Sequence, residues 1–239
     1  MASIPTPRAG LSPRPLVLPP RLLLRVLTAQ RLPLGSRILV VGCGRGELIS
    51  FLDEMSFDVD GVDDSTEVVA ASRQILPRFE IRFVRLSEAL PIAEHEFDLV
   101  LVQDISAYHG NLLDFSCRKA TANMLASLKP NGRLVFIRRS VGGWEELPQH
   151  DERCWTRHLA CFPGDVKVAR YPDTWLSGLP RLWGNRHKPR PGYYTVTFDS
   201  PLRLLDQPTW QDYARRGLMT GQGACCDSAL VLPQTSHVA

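Results

Sequence analysis

The chain has 239 residues, a formal charge of +3 and a pI near 8.6, which suits one α/β domain with a full core and is too mildly basic to imply a polyanionic partner. No apolar run approaches the ~20 residues that span a bilayer, so a membrane protein is not expected. Six cysteines without C-x-x-C or disulfide-framework spacing point to a reducing, cytoplasmic setting.

Charge is unevenly distributed. No acid precedes Glu47, whereas Arg8, Arg14, Arg21, Arg25, Arg31, Arg37 and Arg45 all fall before it. Prolines at 5, 7, 13, 15, 19 and 20 would break the amphipathic helix of an organelle transit signal, so residues 1–20 read as a disordered Pro/Arg-rich arm. A short helix over 21–30 leads through Pro33 and Gly35 into an apolar run at 38–41. Strand and helix patterns then alternate: helix 47–56, strand 57–62, helix 65–76, strand 80–84, strand 97–102, helix 112–128 and strand 133–137. That alternation predicts parallel strands with crossover helices on both faces.

The last hundred residues change character. A helix interrupted at Pro148 is expected within 144–161, a strand over 165–171, and an antiparallel partner over 193–198. Between those strands lies a segment rich in Pro, Gly, Trp and Arg that is too long for a hairpin turn, as functional loops often are. One short helix is expected over 209–218. The expected organisation is therefore an arm over 1–20, a domain over 21–200 and a C-terminal extension over 201–239.

The most informative stretch is 37–46, Arg-Ile-Leu-Val-Val-Gly-Cys-Gly-Arg-Gly, a buried strand breaking into three alternating glycines before a helix. Such glycines permit backbone conformations barred to other residues and let a ligand approach closely. A dinucleotide loop would read G-x-G-x-x-G, with a pyrophosphate on the helix N-terminus. Here the position of that last glycine is Glu47, which would repel a pyrophosphate and tolerate a cationic sulfonium. A nicotinamide-dependent oxidoreductase is accordingly disfavoured. Asp63 closes the next apolar stretch, placed to accept hydrogen bonds from ribose hydroxyls of either cofactor.

Four fragments in this order resemble the class I S-adenosylmethionine-dependent methyltransferases: 38–47, 59–65 (Val-Asp-Gly-Val-Asp-Asp-Ser), 87–100 and 128–134 (Leu-Lys-Pro-Asn-Gly-Arg-Leu). The resemblance implies a Rossmann-like α/β fold with a seven-stranded, mostly parallel sheet, helices on both faces and a C-terminal antiparallel hairpin. It implies S-adenosylmethionine as cofactor, with Gly42, Cys43, Gly44 and Gly46 along the methionine portion and Asp63 on the ribose. Asp64 would flank the adenine, Ser87 and Glu88 would meet its edge, and Gln103 would lie beneath the sulfonium end. Two acids frequent in the family are absent, their positions being Val40 and Leu86.

Methyl transfer asks mainly for alignment and exclusion of water, with a base only where the acceptor must lose a proton. Tyr108 and His109, in the loop after the fourth strand, are the candidates for that role, His109 for its intrinsic pKa and both for their place at the carboxyl edge of the sheet. The expected function is methyl transfer to a small molecule bound between this loop and 173–192. The alternatives are a catalytically silent S-adenosylmethionine-binding or scaffold protein and a nucleic-acid methyltransferase. The nucleic-acid reading rests on Arg181, Arg186, His187, Lys188 and Arg190 interleaved with Trp183, Tyr193 and Tyr194; the loop after the fourth strand lacks the Asn/Asp-Pro-Pro-Tyr/Phe sequence of amino-methylating enzymes. His150, Cys154, His158 and Cys161 have ligand-like spacing, but on a helix His150 and His158 are ~12 Å apart, so no metal site is expected.

Overall fold

The computed structural model describes residues 19–88, 94–103, 105–140, 152–172 and 192–221. Asp104, His150, the 181–190 basic cluster and Cys225 and Cys226 lie outside them. Helix α1 (Pro20–Gln30) precedes β1 (Arg37–Val41), α2 (Glu47–Glu54), β2 (Asp58–Asp63), α3 (Thr66–Ile75) and β3 (Ile81–Phe83). Then come β4 (Phe97–Val102), a 3-10 turn (Ser106–Tyr108), α4 (Phe115–Ala126), β5 (Leu128–Ser140), α5 (Glu152–Leu159), β6 (Asp165–Pro172), β7 (Gly192–Asp199) and α6 (Gln207–Gly221).

The seven strands form one sheet in the order β3-β2-β1-β4-β5-β7-β6. The first five are parallel, and β7 inserts antiparallel between β5 and β6. This is the expected seven-stranded, mostly parallel sheet with a C-terminal antiparallel pair. Strand alternation divides the core in two. Ile38, Val40, Leu99, Leu101, Val135 and Ile137 face α1 and α2, while Leu39, Val41, Val100, Val102, Leu134 and Phe136 face α4, α5 and α6. Strands buried on both faces in this way read as continuous apolar runs rather than alternating ones.

Two elements differ from expectation for physical reasons. The Pro130-Asn131-Gly132 turn is a bulge within one strand: Leu128 pairs with Phe97 and Arg133 with Leu99, and Asn131 takes φ 61°, a conformation asparagine tolerates. Beyond Ile137, β5 continues to Ser140 because β7 supplies partners up to Gly192. Helix α6 belongs to the core, with Trp210 and Ala214 buried against the α4 side. Its cover explains why α4 is buried nearly all round, from Cys117 through Ala126 except Lys119. Among the described residues no helix is long and apolar enough to cross a membrane.

Candidate functional site

Parallel strands deliver their carboxyl ends to one edge, where open α/β sheets bind ligands. The turn after β1 lies between the ends of β2 and β4. Its first two N–H groups, of Gly42 and Cys43, donate to the Val62 carbonyl, carrying the chain across the end of β2. Gly44 has φ 57° and Gly46 φ 89°. A Cβ on Gly44 would meet nothing within 4 Å, whereas one on Gly46 would lie 2.2 Å from Leu76 Cδ1. Gly46 is thus required by helix packing, and Gly44 leaves open space at the mouth of the turn. Ser72 of α3, fully buried, donates to the Gly44 carbonyl at 2.6 Å, which fixes the outer limb of the turn.

Asp63 ends β2 and is 7% exposed. Its Oδ2 accepts the Gly44 N–H and its Oδ1 the Ser65 N–H, each at 3.0 Å. Burial pushes the carboxyl pKa up, and these two N–H groups pull it partly back. An ionised carboxylate has about four acceptor positions, so capacity remains for two further donors. Gln103, 8% exposed, holds its backbone through an N–H bond to Val41. Its carboxamide has no hydrogen-bond partner among the described residues. Open space at Gly44, spare acceptors on Asp63 and an uncommitted amide at Gln103 suit a ligand carrying hydroxyls and a flexible polar chain, so the donor set fits an adenosyl-methionine cofactor.

The remaining candidates are placed less directly. The Cys43 side chain turns inward to the α2 face of the core, and burial, then the Asp63 carboxylate, pushes its thiol up to about 12. Only its backbone faces the turn. Asp64 accepts from both the backbone N–H and the hydroxyl of Ser106, a link from the end of β2 over β1 to the loop after β4 that sequence gave no means of seeing. Ser87 is half-buried, while exposed Glu88 pairs with Arg85 at 3.4 Å; the Glu88 carbonyl accepts from Asn123 of α4. The two positions lacking an acid, Val40 and Leu86, are core residues.

Tyr108, one of the two candidates for taking a proton, is enclosed in the core. It is fully buried, edge-on to Phe136 at 5.2 Å and against Trp155 at 5.6 Å. Burial drives its pKa upward, which disfavours the phenolate. Its hydroxyl lies 2.8 Å from Thr121 Oγ1, which lies 2.7 Å from His158 Nε2, and His158 Nδ1 contacts the Leu112 carbonyl. A carbonyl only accepts, so Nδ1 carries the proton, Nε2 accepts from Thr121, and Tyr108 donates to Thr121. With both nitrogens engaged, His158 is no metal ligand. His109, by contrast, is exposed at the end of the 3-10 turn that this buried chain anchors.

His158 makes stability depend on pH. Burial holds its pKa down to about 4 against an ordinary 6.5. The unfolded chain therefore binds more protons between those values, and stability is full above pH 6.5 and falls as pH drops toward 4. The loss at pH 4 should be about 3 kcal/mol. Urea titrations across this window should show that slope, and His158→Gln should remove it; an unchanged slope would contradict the assignment.

Residues 38–132 match the family described as "Methyltransferase domain". A curated relative, the S-adenosyl-L-methionine-dependent Diels-Alderase iccD of Talaromyces variabilis, is 33% identical over 115 residues. That match takes in 44% of this chain and 37% of the relative's length. Among solved structures, the [4+2]-cyclase SpnF superposes with a TM-score of 0.56 at 18% identity, over 77% of this chain and 82% of that one. Geranyl diphosphate C-methyltransferase from Streptomyces coelicolor A3(2), crystallised with S-adenosyl-L-homocysteine, gives 0.54 at 15%, over 75% and 80%. At such identities the likeness is one of fold.

Proposed function

We propose that this chain is a class I S-adenosylmethionine-dependent methyltransferase that transfers a methyl group to a small-molecule acceptor, a reading supported by the methyltransferase-domain match over residues 38–132. The observation that carries the reading is the junction of Asp63 with the Gly44 N–H at 3.0 Å, beside open space at Gly44 and the uncommitted amide of Gln103. Asp63 holds the ribose hydroxyls, Asp64 and Ser87 border the adenine, and the backbone of 42–46 follows the methionine chain. Gln103 supports its sulfonium end. When bound, the cofactor would supply a methyl group already activated by its attachment to a sulfonium, with the neutral thioether as the leaving group.

The chain's own task is alignment. Asp64 ties Ser106 down, and the buried Tyr108-Thr121-His158 chain holds the same loop from inside. Exposed His109 is the candidate to take a proton where the acceptor has one to lose. The carboxylates of Glu47, Asp63 and Asp64 make this half of the edge favourable to a cation. A nucleic-acid acceptor rests only on the 181–194 cluster, and a cytoplasmic setting only on cysteine usage.

A second reading is favoured by two observations. The curated relative is named a Diels-Alderase, and Val40 and Leu86 replace acids that would add cofactor contacts. A cyclase, or a silent binding protein, would retain the cofactor without consuming it. Incubation with S-adenosylmethionine and a metabolite library separates the two. Acceptor-dependent formation of S-adenosylhomocysteine supports transfer; cofactor binding with no such product in any acceptor pool would favour the second reading.

A further inference from the structure

Gly44 is held by hydrogen bonds rather than by packing. A Cβ there would meet nothing within 4 Å, so no neighbour fixes its φ of 57°, and glycine has other backbone wells open to it. Its N–H donates to Asp63 Oδ2 at 3.0 Å, and its carbonyl accepts from Ser72 Oγ at 2.6 Å. Among the described residues the other side chain near that carbonyl is the Cys43 thiol, at 3.9 Å, a weak donor. Ser72 is the most deeply buried residue of α3, with no exposed surface. A buried hydroxyl costs free energy unless it is hydrogen-bonded. A mid-helix serine ordinarily bonds the carbonyl one turn back, here that of Val68 at 2.8 Å. The Gly44 carbonyl, 28 residues away in sequence, is the closer acceptor.

Helix α3 meets the glycine turn and the acid beside it at three points. Ser65, its N-cap, gives a backbone N–H to Asp63 Oδ1 at 3.0 Å. Ser72 holds the Gly44 carbonyl, and Leu76, the C-cap, occupies the space that a Cβ on Gly46 would need. Asp63 is therefore gripped through both oxygens by groups that α3 places, directly at Oδ1 and through Gly44 at Oδ2. We propose that Ser72 is a positioning residue of the cofactor site, setting the reach of the turn to Asp63 through Gly44. The inference rests on the methyl-transfer reading for what the site holds. Fully buried, Ser72 presents no surface to a cofactor, so its effect passes through the turn. Without its hydroxyl Gly44 loses one of its two tethers and samples the other wells open to glycine. The turn and Asp63 then keep no fixed separation for a ligand that spans both, and the cost of ordering them falls on the binding step.

The test compares the full-length wild type with Ser72→Ala and with Ser72→Cys, which is nearly isosteric but carries only a weak S–H donor. Calorimetric titration with S-adenosylhomocysteine should show binding ~5–10-fold weaker in both variants, the effect of one hydrogen bond. In NMR spectra of the ligand-free protein the Gly44 amide proton should move upfield and exchange faster with solvent. The Ser65 amide, on the other oxygen of the same carboxylate, should stay where it is. That second amide separates positioning from a general loosening of α3, which would move both. An unmoved Gly44 amide, equal movement of the two amides, or wild-type affinity in a folded variant would overturn the proposal. Should S-adenosylhomocysteine not bind the wild type, the cofactor reading fails, and the Gly44 amide alone decides whether Ser72 positions the turn.

Discussion

Replacing Asp63 by Asn is expected to weaken S-adenosylhomocysteine binding by about 100-fold or more, as two hydrogen bonds to a charged acceptor worth ~1.5–3 kcal/mol each are lost or reversed. The substitution is nearly isosteric, so the effect isolates charge and acceptor count. Asp63 satisfies the Gly44 and Ser65 N–H groups and, in our reading, both ribose hydroxyls. The Asn amide group only donates, so one N–H and one hydroxyl face a donor instead of an acceptor. Some stability is lost as well, because the Gly44 contact helps set the turn. Calorimetric titration with a parallel thermal melt separates the two effects: a folded variant with wild-type affinity would remove Asp63 from the site.

The second large effect lies away from the ligand. Thr121→Val keeps the shape of the side chain and removes the atom that joins Tyr108 to His158. Two fully buried polar groups are then left without partners, at ~1–3 kcal/mol each. A total loss of ~2–5 kcal/mol should lower the melting temperature by ~5–15 °C in a domain of this size. Adding Tyr108→Phe removes one orphaned hydroxyl, so the double variant should be more stable than Thr121→Val alone. Strict additivity of the two losses would mean that the hydroxyls do not communicate.

The parallel half of the sheet was legible because its signals are local. Apolar runs at 38–41 and 97–102, the glycines at 42, 44 and 46, and an acid closing β2 each need only a few residues to be recognised. Their outcome in the structure is a sheet order that brings β2 and β4 to either side of the glycine turn. What escaped depends on distant pairing. The all-round burial of α4 comes from α6, some ninety residues later, so its pattern carried little helical amphipathicity to read. Tyr108 looked like a loop residue until Thr121 and His158 showed what draws it inward.

The Asp64 link to Ser106 is likewise a product of topology, since the two residues are 42 apart in sequence and meet only because β1 lies between their strands. Lone residues in loops are the least legible because their surroundings are fixed by elements that sequence distance does not order.

The central claim is that the turn at 42–46 and Asp63 hold an adenosyl sulfonium cofactor. Its most direct measurement is calorimetric titration of the protein with S-adenosylhomocysteine, alongside Gly44→Asp, whose added carboxylate would enter the open space beside Asp63. The account predicts saturable 1:1 binding to the wild-type chain and none to a folded Gly44→Asp variant. Absence of binding to the wild type at near-millimolar ligand, or equal binding by both, would contradict it.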